Sequence, residues 1–325
     1  MHRVILVVLL AAGCATPAAS VPEPAAALSP QSERRSFNPT MNGKPVIRGI
    51  SYGPFREGHA PGGPFPSREQ ILEDLKIIAP RWSMIRIYGA RGIAEDVLAV
   101  VRENKLPVLV MLGMWLEPGE DYDIDAEVEE GIRLANAYPD VVFAVNVGNE
   151  SQVDWSAHRT PQDILLAKLR QVRKAVKQPV TTADDYNFWN KPHSQTVAKE
   201  VDFLLLHAYA MWNGKSLENA VPWTAKTVGE IQALHPTLKI VIGETGWATE
   251  LDPEGSEVQH IKAPAGEQEQ IRFYQEFVAW ADQAQVPYFY FEAFDEPWKG
   301  SANPREVEKH WGLYNVDRTP KPAAQ

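Results

Sequence analysis

Two glutamates stand where carboxylates are expensive to hold. Val141-Val142-Phe143-Ala144-Val145-Asn146-Val147-Gly148-Asn149-Glu150 and Lys239-Ile240-Val241-Ile242-Gly243-Glu244 are short apolar, β-branched runs, each closed by a glycine and then by Glu. Such runs read as buried parallel strands whose last residue emerges at the mouth of a sheet. A bare carboxylate there costs free energy unless it is paired or used, so each glutamate asks for the other. Two such carboxylates about 5 to 5.5 Å apart can cleave an acetal with retention, one protonating the leaving oxygen and the other attacking the carbon. These residues alone do not fix which does which. Asn149 is an amide placed to bind a hydroxyl beside the scissile bond, and the tighter, drier run before Glu244 suits a fixed nucleophile.

Other residues suit supporting roles. Arg86 lies inside an apolar strand, where a charge must neutralise or orient a carboxylate. Tyr209 ends a strand and could donate to Glu244, keeping it ionised. His207 follows Leu204-Leu205-Leu206 and is as compatible with a satisfied core histidine as with a site residue. Glu296 and Lys299 could bind hydroxyls or pair with each other. Asp184, Asp185 and Glu292 are acidic strand-end candidates for a rival catalytic pair.

The elements that must position these groups alternate along the chain. Strands are expected over Val46 to Tyr52, Met84 to Tyr88, Pro107 to Gly113, Val141 to Gly148, Pro179 to Ala183, Val201 to Tyr209, Leu238 to Glu244 and Val286 to Phe294. Helical patterns lie between them. Ser67 and Gln70 form a capping-box arrangement ahead of Ile71, Leu75 and Ile78. From Pro161, Leu165, Leu169, Val172 and Val176 share one face, and from Ala265 a stripe runs through Ile271, Tyr274, Val278 and Ala281. Eight strands separated by helices predict a single-domain (β/α)8 TIM barrel over residues 45–321. An open doubly wound sheet is disfavoured, because no Gly-rich phosphate turn follows any strand.

In such a barrel the functional face is the set of strand C-terminal ends. Aromatics crowd it: Tyr52, Tyr88, Trp115, Trp155, Tyr186, Trp189, Tyr209, Trp212, Trp247 and Trp298 each close or follow a strand. Half of such residues are ordinary cover for a barrel mouth. Interleaved with Asn, Asp and Glu, however, the ring suits stacking on sugar faces.

These motifs resemble glycoside hydrolase family 17. Asn149-Glu150 and Gly243-Glu244-Thr245-Gly246-Trp247 look like its acid/base and nucleophile motifs; Gly49-Ile50-Ser51-Tyr52-Gly53, Arg86-Ile87-Tyr88, Phe294-Asp295-Glu296-Pro297-Trp298-Lys299 and Lys309-His310-Trp311-Gly312-Leu313-Tyr314 are similar to its first, second, eighth and closing segments. The segment after Glu150 and the loop around Trp212 look more like bacterial members than plant ones. The resemblance implies endo-acting, retaining hydrolysis of β-1,3-glucan with Glu150 as acid/base and Glu244 as nucleophile. It implies substrate contacts from Tyr52, Arg86, Tyr88, Asn149, Tyr209, Trp212, Trp247, Glu296, Trp298 and Lys299. Some relatives transfer glucanosyl groups instead of hydrolysing. Transfer is therefore one alternative, and a noncatalytic glucan-binding lipoprotein is another, though both glutamates and their flanks are intact.

Composition narrows the partners. A net charge of −10 with no basic stretch argues against nucleic acid. The eight His are scattered without ligand spacing, so no metal or other cofactor is expected. The sixth strand has no Lys for Schiff-base chemistry. A monomer is expected. The single Cys, Cys14, ends a stretch with Arg3, an apolar run from Val4 to Leu10 and Ala11-Ala12-Gly13, the order of a secretory signal. Leu10-Ala11-Ala12-Gly13-Cys14 resembles a bacterial lipobox. The chain is expected to be exported, with residues 1–14 as signal, Cys14 lipidated to anchor it to a membrane, and the Ala/Pro/Ser-rich residues 15–40 as a tether; plain secretion is the alternative.

Overall fold

The computed structural model describes residues 34–119 and 122–325; Cys14 and the signal-like start lie outside the described residues. Eight strands, β1 (Arg48–Ser51), β2 (Met84–Ile87), β3 (Leu109–Met114), β4 (Val142–Asn149), β5 (Val180–Asp185), β6 (Leu204–His207), β7 (Ile240–Glu244) and β8 (Tyr288–Tyr290), form a closed barrel in chain order. All neighbours are parallel, and β8 closes on β1 with Tyr288 opposite Arg48. Each strand overlaps one expected run. The fifth reaches two residues farther than expected, because Asp184 and Asp185 still pair with Leu206 and His207. The eighth stops at Tyr290, where the chain leaves the ladder and Phe291 N–H turns to Thr245 O.

Strand periodicity sorts the side chains. Met84, Met111, Ala144, Ala183, Leu205, Val241 and Phe289 fill the lower barrel, while Ile85, Val110, Val145, Leu206, Ile240 and Ile242 face the helices. One period farther along the inward face come Arg86, Gly113, Asn146, Asp185, His207 and Gly243, so polar groups ride on the apolar layer. The fold begins before the expected boundary at Pro45. Phe37 closes the barrel floor against Phe143 and Phe203, and Arg35 N–H donates to Asp202. Burying a Phe in this way contributes about 1.5–3 kcal/mol.

The helices form the outer layer. α1 (Arg68–Ile78) starts at the expected capping box, with both reciprocal bonds of Ser67 and Gln70 present. α2 (Ala94–Glu103), α3 (Ile124–Ala137) and α4 (Gln162–Ala175) follow β2 to β4. After β5 the chain makes only α5 (Tyr186–Trp189) and α6 (Gln195–Ala198), with Pro192 between them. α7 (Leu217–Leu234) and α8 (Glu267–Ala284) follow β6 and β7. Of the stripe expected on α8, Ala281 is buried and Ile271, Tyr274 and Val278 lie on the flank. Gln270, Phe273, Phe277 and Ala281 are the buried face, because Phe277 packs edge-on against Tyr288 and Phe273 lies on Trp247.

Candidate active site

Strict alternation along β7 would send Glu244 outward with Ile240 and Ile242. The β6–β7 pairing instead shifts register between Leu206/Ile242 and His207/Glu244, passing over Gly243, and this turns Glu244 into the barrel. Only glycine fits the step: a Cβ at 243 would lie 2.7 Å from Leu205 Cγ. β4 ends in the same way. Its register with β5 shifts between Asn146 and Asn149, Gly148 has φ 80°, and Glu150 itself takes the left-handed φ of 49°, rare for a residue with a side chain. Backbone strain of this kind collects at functional sites.

The two carboxylates meet through His207. Its Nδ1 is 2.9 Å from Glu150 Oε1 and its Nε2 is 3.4 Å from Glu244 Oε1. One ligand atom from each of the three residues lies within 4.8 Å of the others, so the two carboxyl groups are close neighbours, as the retaining mechanism needs. Around Glu244 the donors are dense. Arg86 Nη1 donates to Oε1 at 2.5 Å, Tyr88 OH to Oε1 at 3.0 Å and Tyr209 OH to Oε2 at 2.7 Å. Arg86 also donates from Nη2 to Asn149 Oδ1 at 2.5 Å, so one fully buried guanidinium ties the ends of β4 and β7 together. The trio has the spacing of metal ligands, but Oε1 of Glu244 is already spent on Arg86 and Tyr88.

The environments push the pair apart. Burial first, and then the charge of Glu244, raise the Glu150 carboxyl to about 8, against the pull of Arg86. Burial opposes charge on Glu244 too, but His207, Arg86 and the Tyr209 hydroxyl outweigh it and hold that carboxyl at about 2. Burial also lowers His207 to about 4, so the imidazole is neutral at pH 7. The ionisation of Glu244 at that pH therefore rests on Arg86 and the tyrosine hydroxyls. The arrangement is one acid and one anion side by side, the charge state a double displacement needs.

The other residues singled out in the sequence divide into two groups. Trp298 is exposed at the mouth with its edge on Phe55, and half-buried Trp212 lies 6.5 Å from Trp311, which packs on Tyr209. Lys299 donates to both oxygens of Glu292 and pairs with Glu296 Oε2 at 2.8 Å, which leaves Glu296 Oε1 buried without a partner. Tyr52 and Trp247 are placed away from the cleft. Tyr52 is 1% exposed with its hydroxyl on Asp74, and Trp247 is 0% exposed with its indole N–H on Pro264 O. The rival acids are occupied: Asp184 accepts backbone N–H groups, Asp185 caps α5 through Asn187 N–H, and Glu292 holds Lys299. The sequence leaves the role of His207 open and does not single out Glu308. His207 shares the inward face with Leu205, two residues earlier, and that period was the available signal. Half-buried Glu308, raised to about 7 by burial and by Glu150 and Glu244 against the pull of Lys299, directly precedes the closing segment from Lys309.

A family model described as the BtgE/BtgC glycoside hydrolase domain matches residues 49–312. The chain belongs to this glycoside hydrolase family. Among its relatives, a glucan 1,3-beta-glucosidase of Arthroderma benhamiae is 31% identical over 284 residues, covering 80% of this chain and 86% of that one. Among solved structures, an endo-laminarinase from Formosa superposes with a TM-score of 0.74 at 25% identity, covering 83% and 84% of the two chains. A glycoside hydrolase family 17 beta-1,3-glucanosyltransferase from Rhizomucor miehei superposes with a TM-score of 0.70 at 25% identity, covering 85% and 96%.

Proposed function

We propose that this glycoside hydrolase barrel is a retaining β-1,3-glucanase that cleaves internal bonds, with Glu244 as nucleophile and Glu150 as acid/base. One observation carries the reading: two neighbouring carboxyl groups joined through His207, of which Glu244 takes donors from Arg86, Tyr88 and Tyr209 while Glu150 has only the imidazole, an arrangement that lowers the pKa of the first and leaves the second raised. Glu244 attacks the anomeric carbon while Glu150 passes its proton to the departing glycosidic oxygen, leaving a glycosyl ester on Glu244. Esterification removes the Glu244 charge that, together with burial, kept Glu150 protonated. Glu150, now ionised, takes a proton from water, whose oxygen attacks the same carbon and releases Glu244. Asn149, held by Arg86, is the amide for the hydroxyl beside the scissile bond, with Trp212 and Trp298 as stacking surfaces. The β-1,3-glucan substrate is supported by the names of the fungal relative and the laminarinase.

Transfer to a second glucan is the runner-up, favoured by the likeness to the Rhizomucor miehei transferase. A time course on laminarin distinguishes them. Short oligosaccharides from laminarin, with none from cellulose or mannan, support hydrolysis; products longer than a starting oligosaccharide make the chain a transferase, and no turnover of any β-glucan overturns both.

The chain is further proposed to act as a monomer and to be exported on a lipid at Cys14. Among the described residues no helix is long and apolar enough to cross a membrane. Cys14→Ala or globomycin should leave an unprocessed, unanchored form, whereas unchanged fractionation in both rejects the anchor.

A further inference from the structure

Asp184 is fully buried, is used by no step above, and grips the chain immediately after Glu150. Its Oδ2 accepts Gln152 N–H at 2.7 Å, and its Oδ1 accepts Val153 N–H at 3.2 Å and Asp185 N–H at 2.9 Å. One residue earlier on β5, Ala183 O accepts Glu150 N–H at 2.9 Å. Consecutive residues of β5 thus hold the backbone of 150, 152 and 153, bracketing the left-handed turn at Glu150. The far side of the loop is tied to the same turn. Thr160 N–H donates to Ser151 O, and the Gln152 amide donates to Ser151 O and Thr160 O. A residue at φ 49° returns to an ordinary conformation unless its surroundings prevent it, and here the restraint on its C-terminal side is the Asp184 carboxylate.

We propose that Asp184 is the positioning residue for the acid/base: by clamping the backbone of Gln152 and Val153 it holds Glu150 in its left-handed turn, with the carboxyl on His207 and over the leaving oxygen. The proposal rests on the reading of Glu150 as acid/base. Asp184→Asn is the probe, because it keeps the shape and replaces one accepting oxygen with an N–H donor facing N–H groups. A displaced acid hurts bonds that need protonation and spares those that do not.

The test compares kcat/KM on laminarin with kcat/KM on dinitrophenyl β-laminaribioside, whose leaving group departs unprotonated. Asp184→Asn should lose about 10- to 100-fold on laminarin and less than about 3-fold on the aryl substrate, a partial version of the 10²- to 10⁴-fold that a general acid supplies. Glu150→Ala is the control and should show the same selectivity at full size. If Glu150→Ala loses both substrates alike, the acid/base reading itself fails. If Glu150→Ala is selective but Asp184→Asn loses both in parallel, or neither, the positioning role is overturned. Asp184→Glu keeps an acceptor on a longer arm and should melt cooperatively with a smaller loss of the same selectivity. Failure of both Asp184 variants to fold would make the residue purely structural and overturn the proposal.

Discussion

The ends of β4 and β7 carry the same side chain and treat it in opposite ways. Glu244 stays on the ladder, and Arg86, Tyr88 and Tyr209 all donate to it. Glu150 leaves the ladder in a left-handed turn, keeps a neutral histidine as its side-chain partner, and lies beside the charge of Glu244. The first environment stabilises an anion; the second stabilises an acid. Donor count and charge of the neighbours are therefore the grounds for the roles proposed here, which the two sequence contexts left open. Asp184 extends the lesson. Burial pushes its pKa up as well, but three backbone N–H groups donate to its two oxygens and pull the other way, so a buried carboxyl becomes a candidate acid only where it is free to pass a proton to another group.

The comparison breaks most completely at Glu244. Glu244→Ala should lose activity on the order of 10⁵-fold on every substrate, because the covalent step disappears whatever the leaving group. An aryl laminaribioside retaining substantial turnover would remove Glu244 from the nucleophile's place.

Arg86 is the next lever, since it makes Glu244 an anion and joins the two strand ends. Arg86→Met should cost on the order of 10²- to 10³-fold in kcat, by loss of a preorganised charge. It should also cost about 3–5 kcal/mol of stability at neutral pH, because a buried carboxylate is left without its partner. The guanidinium lowers the Glu244 pKa, so its removal should move the acidic limb of kcat/KM toward higher pH. An acidic limb that stays in place would mean that another group keeps Glu244 charged.

The wild-type profile sharpens the same contrast without a mutation. The productive form has Glu150 protonated and Glu244 ionised, so kcat/KM should fall as pH rises through about 8 and hold well into acid, toward about 2, wherever the fold survives. Activity that climbs through pH 8 would reverse the protonation states. For stability the sign differs between the two. Glu244 contributes most above its ordinary pKa and loses that contribution as pH falls toward about 2, while Glu150 is kept protonated by the fold and makes it less stable as pH rises toward about 8.

Tyr209→Phe is the smallest of these changes. It removes one donor of three and leaves Arg86, so about 10-fold in kcat and a slight upward shift of the acidic limb are expected, in keeping with about 1.5 kcal/mol for a hydrogen bond to a charged group. No change in either would make the 2.7 Å contact incidental.

The sequence made the barrel and its two glutamates legible because β-branched runs and glycine stops are local signals. It did not disclose what turns the glutamates inward. The register shifts at Gly148 and Gly243 depend on which residues of β5 and β6 lie opposite, and pairing is not local. Tyr52 and Trp247 were placed at the mouth by strand position, yet Asp74 and Pro264 O draw them outward into the helix layer. His207 was ambiguous for a related reason. An apolar run tells only that a strand is buried, and the inward face became clear once Leu205 joined the lower layer.

The most direct measurement is the configuration of the azide product. Glu150→Ala supplied with dinitrophenyl β-laminaribioside should form the glycosyl-enzyme, stall, and be released by azide as the β-glycosyl azide; Glu244→Ala should give the α-glycosyl azide by direct displacement. An α product from the Glu150 variant together with a β product from the Glu244 variant would contradict the assignment of acid and nucleophile.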